Sequence, residues 1–177
     1  MLSSCPFFGS VSAQTADSIA PKPKLLGSVL RTVRTIDMTN DTIAETLQIE
    51  TTKAKRIKDV KVRFGIYQGN KKMYEYSWRA DDFFDPKDKL PDTLKWLRLQ
   101  RIIRVFFSDQ NFSDSNRESL DDIFERVRPV DILGQSPEAL EFQQTPHKVF
   151  SVYAGRDLLL GITWLESKKK FLTLWRN

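Results

Sequence analysis

Hydrophobic and polar residues alternate most regularly in the middle of the chain, between Lys53 and Arg79. In the first half of this segment, apolar side chains take every second position and cationic residues or glycine lie between them: Val60, Val62, Phe64 and Ile66 against Lys61, Arg63 and Gly65. After a break at Gly69-Asn70, the alternation resumes with aromatic side chains: Tyr74, Tyr76 and Trp78 against Glu75 and Arg79. A period of two residues on both sides of a Gly-Asn break predicts a β-hairpin with one apolar and one cationic face.

The chain before the hairpin divides into a polar tail and a β-rich segment. Residues 1 to 24 are rich in Ser, Ala, Thr and Pro. Because such a segment cannot bury enough apolar surface to offset the entropy of ordering it, we expect a flexible tail. Val, Ile and Thr dominate from Ser28 to Met38, which predicts a strand. Residues 42 to 52 fit a strand or a helix opened by the capping box Thr42-Ile-Ala-Glu45, and the pattern does not decide between them.

A helical period follows the hairpin. After an Asp- and Pro-rich loop over residues 81 to 92, Asp92 or Thr93 can cap a helix that continues to about Phe107. This helix places apolar and cationic side chains on opposite sides: Trp96, Leu99, Ile103 and Phe106 against Arg98, Arg101 and Arg104. The segment from residue 99 to 107 fits a strand as well, since Ile, Val and Phe fill its second half.

The last third of the chain begins with polar residues and ends in β-structure. Residues 108 to 119 predict a loop, Ser119 starts a short helix that Pro129 ends, and Ser136-Pro137 starts a second short helix. Three strand-length runs then predict an antiparallel meander: Lys148 to Ala154, Leu158 to Leu165 and Lys169 to Trp175.

Length and element types together predict one α+β domain over residues 25 to 177 behind the tail of residues 1 to 24. A chain of 177 residues with 40% hydrophobic content can form one sizeable core but hardly two. We expect about six strands, mainly in antiparallel sheet, with two or three helices. The single cysteine, Cys5, permits no intramolecular disulfide and indicates a reducing compartment.

Charge is distributed unevenly along the chain. The formal net charge is +5, yet the segment from Lys53 to Arg79 alone has nine basic and two acidic residues. Residues 109 to 141 contain nine acidic and three basic residues. This polarity predicts an oriented surface for a polyanion, either RNA or ribonucleoprotein or an anionic membrane surface.

The candidate polyanion-binding residues are the cations of the hairpin segment and the arginine row of the predicted helix: Lys53, Lys55, Arg56, Lys58, Lys61, Arg63, Lys71, Lys72, Arg98, Arg101 and Arg104. Binding phosphates requires only that such cations cluster on one surface. The aromatic residues Tyr67, Tyr74, Tyr76 and Trp78 could stack on bases if exposed, but alternation favours the core face for them.

Catalytic patterns are sparse. His147 is the only histidine, so a histidine metal cluster is excluded, and any triad would rest on this residue, for which a structural role is expected. None of the glycine-rich phosphate loops occurs. We expect neither enzymatic activity nor a cofactor.

The best enzymatic alternative is a Mg²⁺-dependent nuclease that uses Asp157, Glu166 and Lys168. If residues 158 to 165 form a strand, its ends are on the order of 27 Å apart, too far for the two carboxylates to share a metal ion. Two solvated turns are the expected structure.

A third hypothesis is a protein-binding adaptor that uses the acidic segment of residues 109 to 141. Ser113, Ser115 and Ser119 lie near acidic residues and are candidate phosphorylation sites, although Ser119 serves equally well as a helix cap.

No apolar run reaches the roughly 18 to 20 residues that span a bilayer, so any membrane contact is expected to be peripheral. The start of the chain has no basic residues before its short apolar stretch, which argues against a secretory signal.

One stretch resembles a known family. Arg63-Phe-Gly-Ile-Tyr-Gln-Gly69, followed by a strand that ends in Arg79-Ala-Asp-Asp82, is similar to the aromatic-Gly-apolar-Tyr-x-Gly segment, strand and acidic end of rhabdovirus matrix proteins. A small, basic, cysteine-poor chain behind a polar tail is also similar to the shorter matrix proteins of plant-infecting, cytorhabdovirus-like members. The resemblance implies a non-enzymatic virion protein that condenses the ribonucleoprotein, contacts membranes peripherally in the host cytoplasm, and self-associates.

Overall fold

A computed structural model describes residues 26–114, 136–153, 155 and 159–175 of the chain. The described part contains two four-stranded antiparallel sheets and two α-helices, which confirms the α+β class with mainly antiparallel sheet. The strands are β1 (Arg31–Ile36), β2 (Glu45–Thr51), β3 (Lys61–Gln68), β4 (Lys71–Arg79), β5 (Phe112–Asp114), β6 (Lys148–Tyr153), β7 (Leu159–Leu165) and β8 (Lys170–Trp175). The helices are α1 (Asp92–Val105) and α2 (Pro137–Gln144).

The first sheet is a meander in the order β1-β2-β3-β4. The predicted hairpin is its β3–β4 pair, and a two-residue turn at Gly69-Asn70 joins the strands. Gly69 has φ of 57°, a left-handed conformation that glycine adopts without strain. The segment of residues 42 to 52, which the sequence left between helix and strand, forms β2, because Leu47, Ile49 and Thr51 point together into the core.

The second sheet has the order β5-β6-β7-β8. Its last three strands confirm the predicted C-terminal meander. The expected polar loop of residues 108 to 119 is wrong at Phe112–Asp114, which forms β5. This short strand pairs with β6 because the Phe112 ring packs on Phe150, with their centroids 4.9 Å apart. The described residues therefore contain eight strands instead of about six.

The segment of residues 99 to 107, which fits either a helix or a strand by sequence, is helical up to Val105, where α1 ends. Trp96, Leu99 and Ile103 are buried on its inner side, as the helical period predicts. The expected side-chain cap is wrong. Asp92 lies inside the helix after Pro91, and its carboxylate accepts a hydrogen bond from the backbone N–H of Ile57 (2.9 Å).

Both sheets and α1 enclose one hydrophobic core. Phe64 of β3 stacks on Phe150 of β6, with ring centroids 5.4 Å apart, and its centroid is 6.0 Å from that of Phe106 at the end of α1. The sheets also meet where the Tyr74 hydroxyl and the Thr173 hydroxyl hydrogen-bond at 2.8 Å. The described residues thus form a single domain whose two sheets depend on the same buried side chains.

Several expectations fall on residues outside the described part of the chain: the tail of residues 1 to 24 with Cys5, the short helix that starts at Ser119, and Asp157.

Candidate polyanion interface

The cations that precede the hairpin lie on a well-anchored loop between β2 and β3. The Thr52 N–H donates to the Lys61 carbonyl (2.8 Å), and the Lys61 N–H donates back to the Thr52 hydroxyl (2.9 Å). Ile57 and Val60 are buried in the core, while the lysines between and before them are exposed. The burial of Ile57 and Val60 therefore fixes the loop and leaves its cations directed to solvent.

Two long-range hydrogen bonds hold the backbone of the same loop. The Asp92 carboxylate at the start of α1 receives the Ile57 N–H, as described above. On the other side, the Arg79 guanidinium donates to the Lys58 carbonyl (3.1 Å). Arg79 therefore stabilises the loop structurally, although it belongs to the basic segment by sequence.

Six of the cations in the segment are exposed and form no ion pair with any described residue: Lys53, Lys55, Lys58, Lys61, Arg63 and Lys71. Two others are paired with a neighbour on the surface. Arg56 binds Asp59 (2.8 Å), and Lys72 binds Glu75. Six unpaired cations within 19 residues retain the positive charge that a polyanion would neutralise.

These ion pairs shift the pKa values of their members. The hydrogen bond from Arg56 and the nearby positive charges hold the pKa of Asp59 below its usual value. The hydrogen bond and charge of Lys72 likewise lower the pKa of Glu75, and Glu75 raises the pKa of Lys72. These pairs are exposed, where ion pairs contribute little, so a competing phosphate can displace either carboxylate at small cost.

The cationic face of the hairpin lies opposite the core. Lys61 and Arg63 of β3 point to solvent, while Val62 and Phe64 point inward. The β3–β4 register shifts between Ile66 and Tyr67, so that Tyr67 lies opposite Lys72. This irregularity puts Lys72 on the outward face, in line with the β3 cations.

The expected position of the aromatic residues is confirmed for three of the four. Trp78 is buried, and Tyr74 and Tyr76 pack against the core. Tyr67 is the exception, since it follows Ile66 by one residue and therefore points to the outward face. There its ring lies over Gly65: a Cβ atom at residue 65 would be 2.7 Å from Cε2 of the ring.

The arginine row of α1 lies on the side of the helix that points away from the core. Arg98, Arg101 and Arg104 are exposed there, and the Arg98 guanidinium is 3.7 Å from the Asp88 carboxylate. Three aliphatic side chains are exposed beside them: Leu94 (46%), Leu97 (39%) and Val105 (55%). The start of the same helix contacts the basic loop through Asp92 and Ile57. The apolar part of the outer helix surface was missed in the sequence.

A further feature that the sequence did not indicate is an open cleft beside the basic loop. It has a volume of about 700 Å³, and Lys53 and Lys55 line it together with residues 26 to 29. The close approach of the two segments requires Gly27, which has φ of 86° and whose absent Cβ would lie 2.4 Å from the Ala54 carbonyl oxygen.

His147 is a packing residue. It is buried, and its ring stacks on Phe142 of α2 with centroids 5.3 Å apart. Its Nε2 is 2.8 Å from the Thr145 hydroxyl and 3.3 Å from the Glu141 carbonyl oxygen. The imidazole thus joins α2 to the start of β6.

Glu141 of α2 binds the β7–β8 turn. Its Oε1 accepts hydrogen bonds from the backbone N–H groups of Glu166 (2.7 Å) and Ser167 (3.2 Å). Partial burial raises the pKa of Glu141, but the hydrogen bonds from Ser167 and Glu166 and the charge of His147 outweigh it and hold the pKa below the usual 4.5.

The residues of the nuclease alternative have other partners. Glu166 accepts from the Trp164 indole (2.9 Å) and pairs with Lys169, and Lys168 pairs with Glu138 (2.8 Å). The described part of the chain contains no group of three or more His, Cys, Asp or Glu side chains that could hold a metal ion. No helix among these residues is long and apolar enough to cross a membrane.

The acidic segment of residues 109 to 141 is described only at its two ends. Asp109 pairs with Arg34 of β1 (2.7 Å), and Glu138 and Glu141 bind the β7–β8 turn as above. Ser113 is half-buried in β5, whereas Ser115 and Ser119 lie outside the described residues.

Comparison of the chain with protein-family models, with characterised proteins and with solved structures found no match. The function must therefore be argued from the residues and their geometry.

Proposed function

We propose that the protein is a non-enzymatic, matrix-type structural protein that binds a polyanion through its basic loop and hairpin and self-associates during virion assembly. The observation that carries the proposal is the set of six unpaired cations on an anchored loop and strand. Because the backbone of this surface is already ordered, the polyanion need not meet the full entropic cost of ordering it.

The placement of the second cationic surface supports the matrix type. The arginine row of α1 lies on the outer side of that helix, beside exposed aliphatic side chains. A structural protein that links a ribonucleoprotein to an anionic membrane surface or to another copy of itself needs two binding surfaces on different sides. Basic residues with exposed apolar neighbours suit a peripheral lipid contact or an acidic protein surface.

Two charge-matched triple variants test the proposal. Lys53, Lys55 and Lys58 are each replaced by Glu in one variant, and Arg98, Arg101 and Arg104 in the other. Co-sedimentation with RNA and with phosphatidylserine vesicles is measured at about 50 and about 200 mM salt. If the loop binds about three phosphates, the first variant should lose most RNA binding. The slope of log K against log salt concentration should then become shallower by about 2, since each phosphate of a single strand contributes about 0.7.

The second variant should retain binding by the hairpin face, although it has the same net charge as the first. Undiminished binding in the loop variant, or loss only in the arginine variant, would contradict the proposed surface. Circular dichroism on both variants checks that the exposed substitutions leave the fold intact.

A further inference from the structure

The outward face of the first sheet is mainly polar, with Val33 of β1 as its exposed aliphatic side chain. Its side chains alternate with the buried ones along each strand, and all of them are exposed or half-buried. From β2 and β3, this face presents Thr46, Gln48, Glu50, Lys61, Arg63 and Tyr67. Among these side chains, the phenol of Tyr67 is the only large ring.

Tyr67 lies along this surface instead of standing out from it. Cε2, Cζ and the hydroxyl oxygen of its ring are 2.7, 2.9 and 2.8 Å from the point that a Cβ on residue 65 would occupy. Only glycine at position 65 permits this placement, because any side chain would displace the ring. The backbone of β3 therefore supports the phenol from below.

Cations flank the supported ring on the same face. Arg63 precedes Tyr67 by four residues on β3. Lys72 is the direct partner of Tyr67 across the β3–β4 pair and forms an exposed ion pair with Glu75, which a phosphate would displace. Successive outward side chains on a strand are about 7 Å apart, so the ring and the cations form one continuous row. Lys61 extends this row toward the basic loop.

We propose that this face binds single-stranded nucleic acid, with a base stacked on Tyr67 and phosphates bound by Arg63 and Lys72. The inference rests on the proposed polyanion-binding function and specifies the polyanion. Base stacking on an aromatic side chain beside cations is the means by which sheet surfaces hold single strands without sequence preference. A lipid headgroup would use the cations alone and would not need a supported aromatic ring. Among the described residues, α1 has three exposed aliphatic side chains, which favour a bilayer, whereas this face has one, Val33.

The test compares a short fluorescent oligouridylate with an abasic oligonucleotide of equal length and charge, using fluorescence anisotropy on the full chain. The wild-type protein should bind the oligouridylate more tightly. Tyr67→Ala should weaken oligouridylate binding about tenfold, leave abasic binding unchanged and leave the salt slope unchanged. Tyr67→Phe should bind as the wild type does, because it keeps the ring.

A second variant keeps the phenol but removes its support. Gly65→Val should reduce the preference for the oligouridylate, since the new side chain displaces the ring from the sheet. Tyr153→Ala is the matched control, because Tyr153 is 64% exposed on the other sheet and should have no effect. Thermal unfolding of each variant separates a loss of binding from a loss of fold.

Three outcomes distinguish a failure of base stacking on Tyr67 from a failure of the proposed polyanion binding. Equal affinity of the wild type for both oligonucleotides, or wild-type binding by Tyr67→Ala, overturns base stacking and leaves polyanion binding in place. Binding to phosphatidylserine vesicles without binding to either oligonucleotide overturns the nucleic-acid assignment in favour of lipid. Failure to bind any of the three overturns the proposed function itself.

Discussion

Phe64 should be the side chain on which the association of the two sheets depends most. It is 1% exposed, and its ring centroid lies within 6.1 Å of those of four other aromatic residues: Tyr74, Phe106, Phe107 and Phe150. Truncation of a buried Phe to Ala costs roughly 3–5 kcal/mol. This range already includes the lost ring contacts, and four aromatic neighbours favour its upper half, so we expect Phe64→Ala to cost about 4–5 kcal/mol.

A double-mutant cycle measures whether the sheets share this core. Phe64→Ala, Phe150→Ala and the double variant are unfolded in urea and followed by tryptophan fluorescence. Because the two rings stack, the free energies of unfolding should be non-additive by about 1 kcal/mol. Phe142, which is buried on α2 but outside the shared core, is the control partner and should be additive with Phe64 within about 0.5 kcal/mol. Additivity for the pair Phe64 and Phe150 would refute the shared core.

Two further predictions concern the β7–β8 turn and the β3–β4 turn. Glu141 has a lowered pKa, so it should stabilise the β7–β8 turn above pH 4.5 and lose this effect as the pH falls through its lower folded-state pKa. The melting temperature of Glu141→Gln should therefore be below that of the wild type at neutral pH and approach it in acid; a constant difference at all pH values would contradict this. Gly69→Ala should cost about 1–2 kcal/mol, because φ of 57° is unfavourable for alanine. Asn70→Ala, at the adjacent turn residue, should cost distinctly less in the same urea titration.

The sequence predicted the elements whose periodicity is long and regular. The β3–β4 hairpin, the C-terminal meander and the inner side of α1 with Trp96 all follow from periods of two or 3.6 residues that burial enforces. It could not place β5, since three residues contain too little periodicity. Phe112–Asp114 is extended because Phe112 meets Phe150 across the sheet, a contact between residues distant in the chain.

The candidate site was predictable in composition but not in arrangement. Clustering in sequence was enough to identify Lys53 through Lys72 as a basic surface, because a loop and a hairpin keep neighbouring residues together. Whether the arginine row of α1 joins that surface depends on how the helix packs. Since Trp96, Leu99 and Ile103 pack into the core, the arginines are directed to the outer side of the helix. Only the tertiary fold contains that information.

The position of Tyr67 shows how one strand irregularity shapes the proposed interface. Alternation along β3 directs the Tyr67 ring to the outward face. With regular pairing, however, Lys72 of β4 would lie on the core-facing side of the sheet. The shift between Ile66 and Tyr67 reverses the direction of Lys72 and leaves Tyr74 inward, where its hydroxyl reaches Thr173 of the other sheet. The same irregularity thus keeps Tyr74 in the core and places Lys72 beside the Tyr67 ring on the outward face. Because such irregularities re-aim side chains locally, a cation and a ring can be paired for binding without altering the buried side of the hairpin.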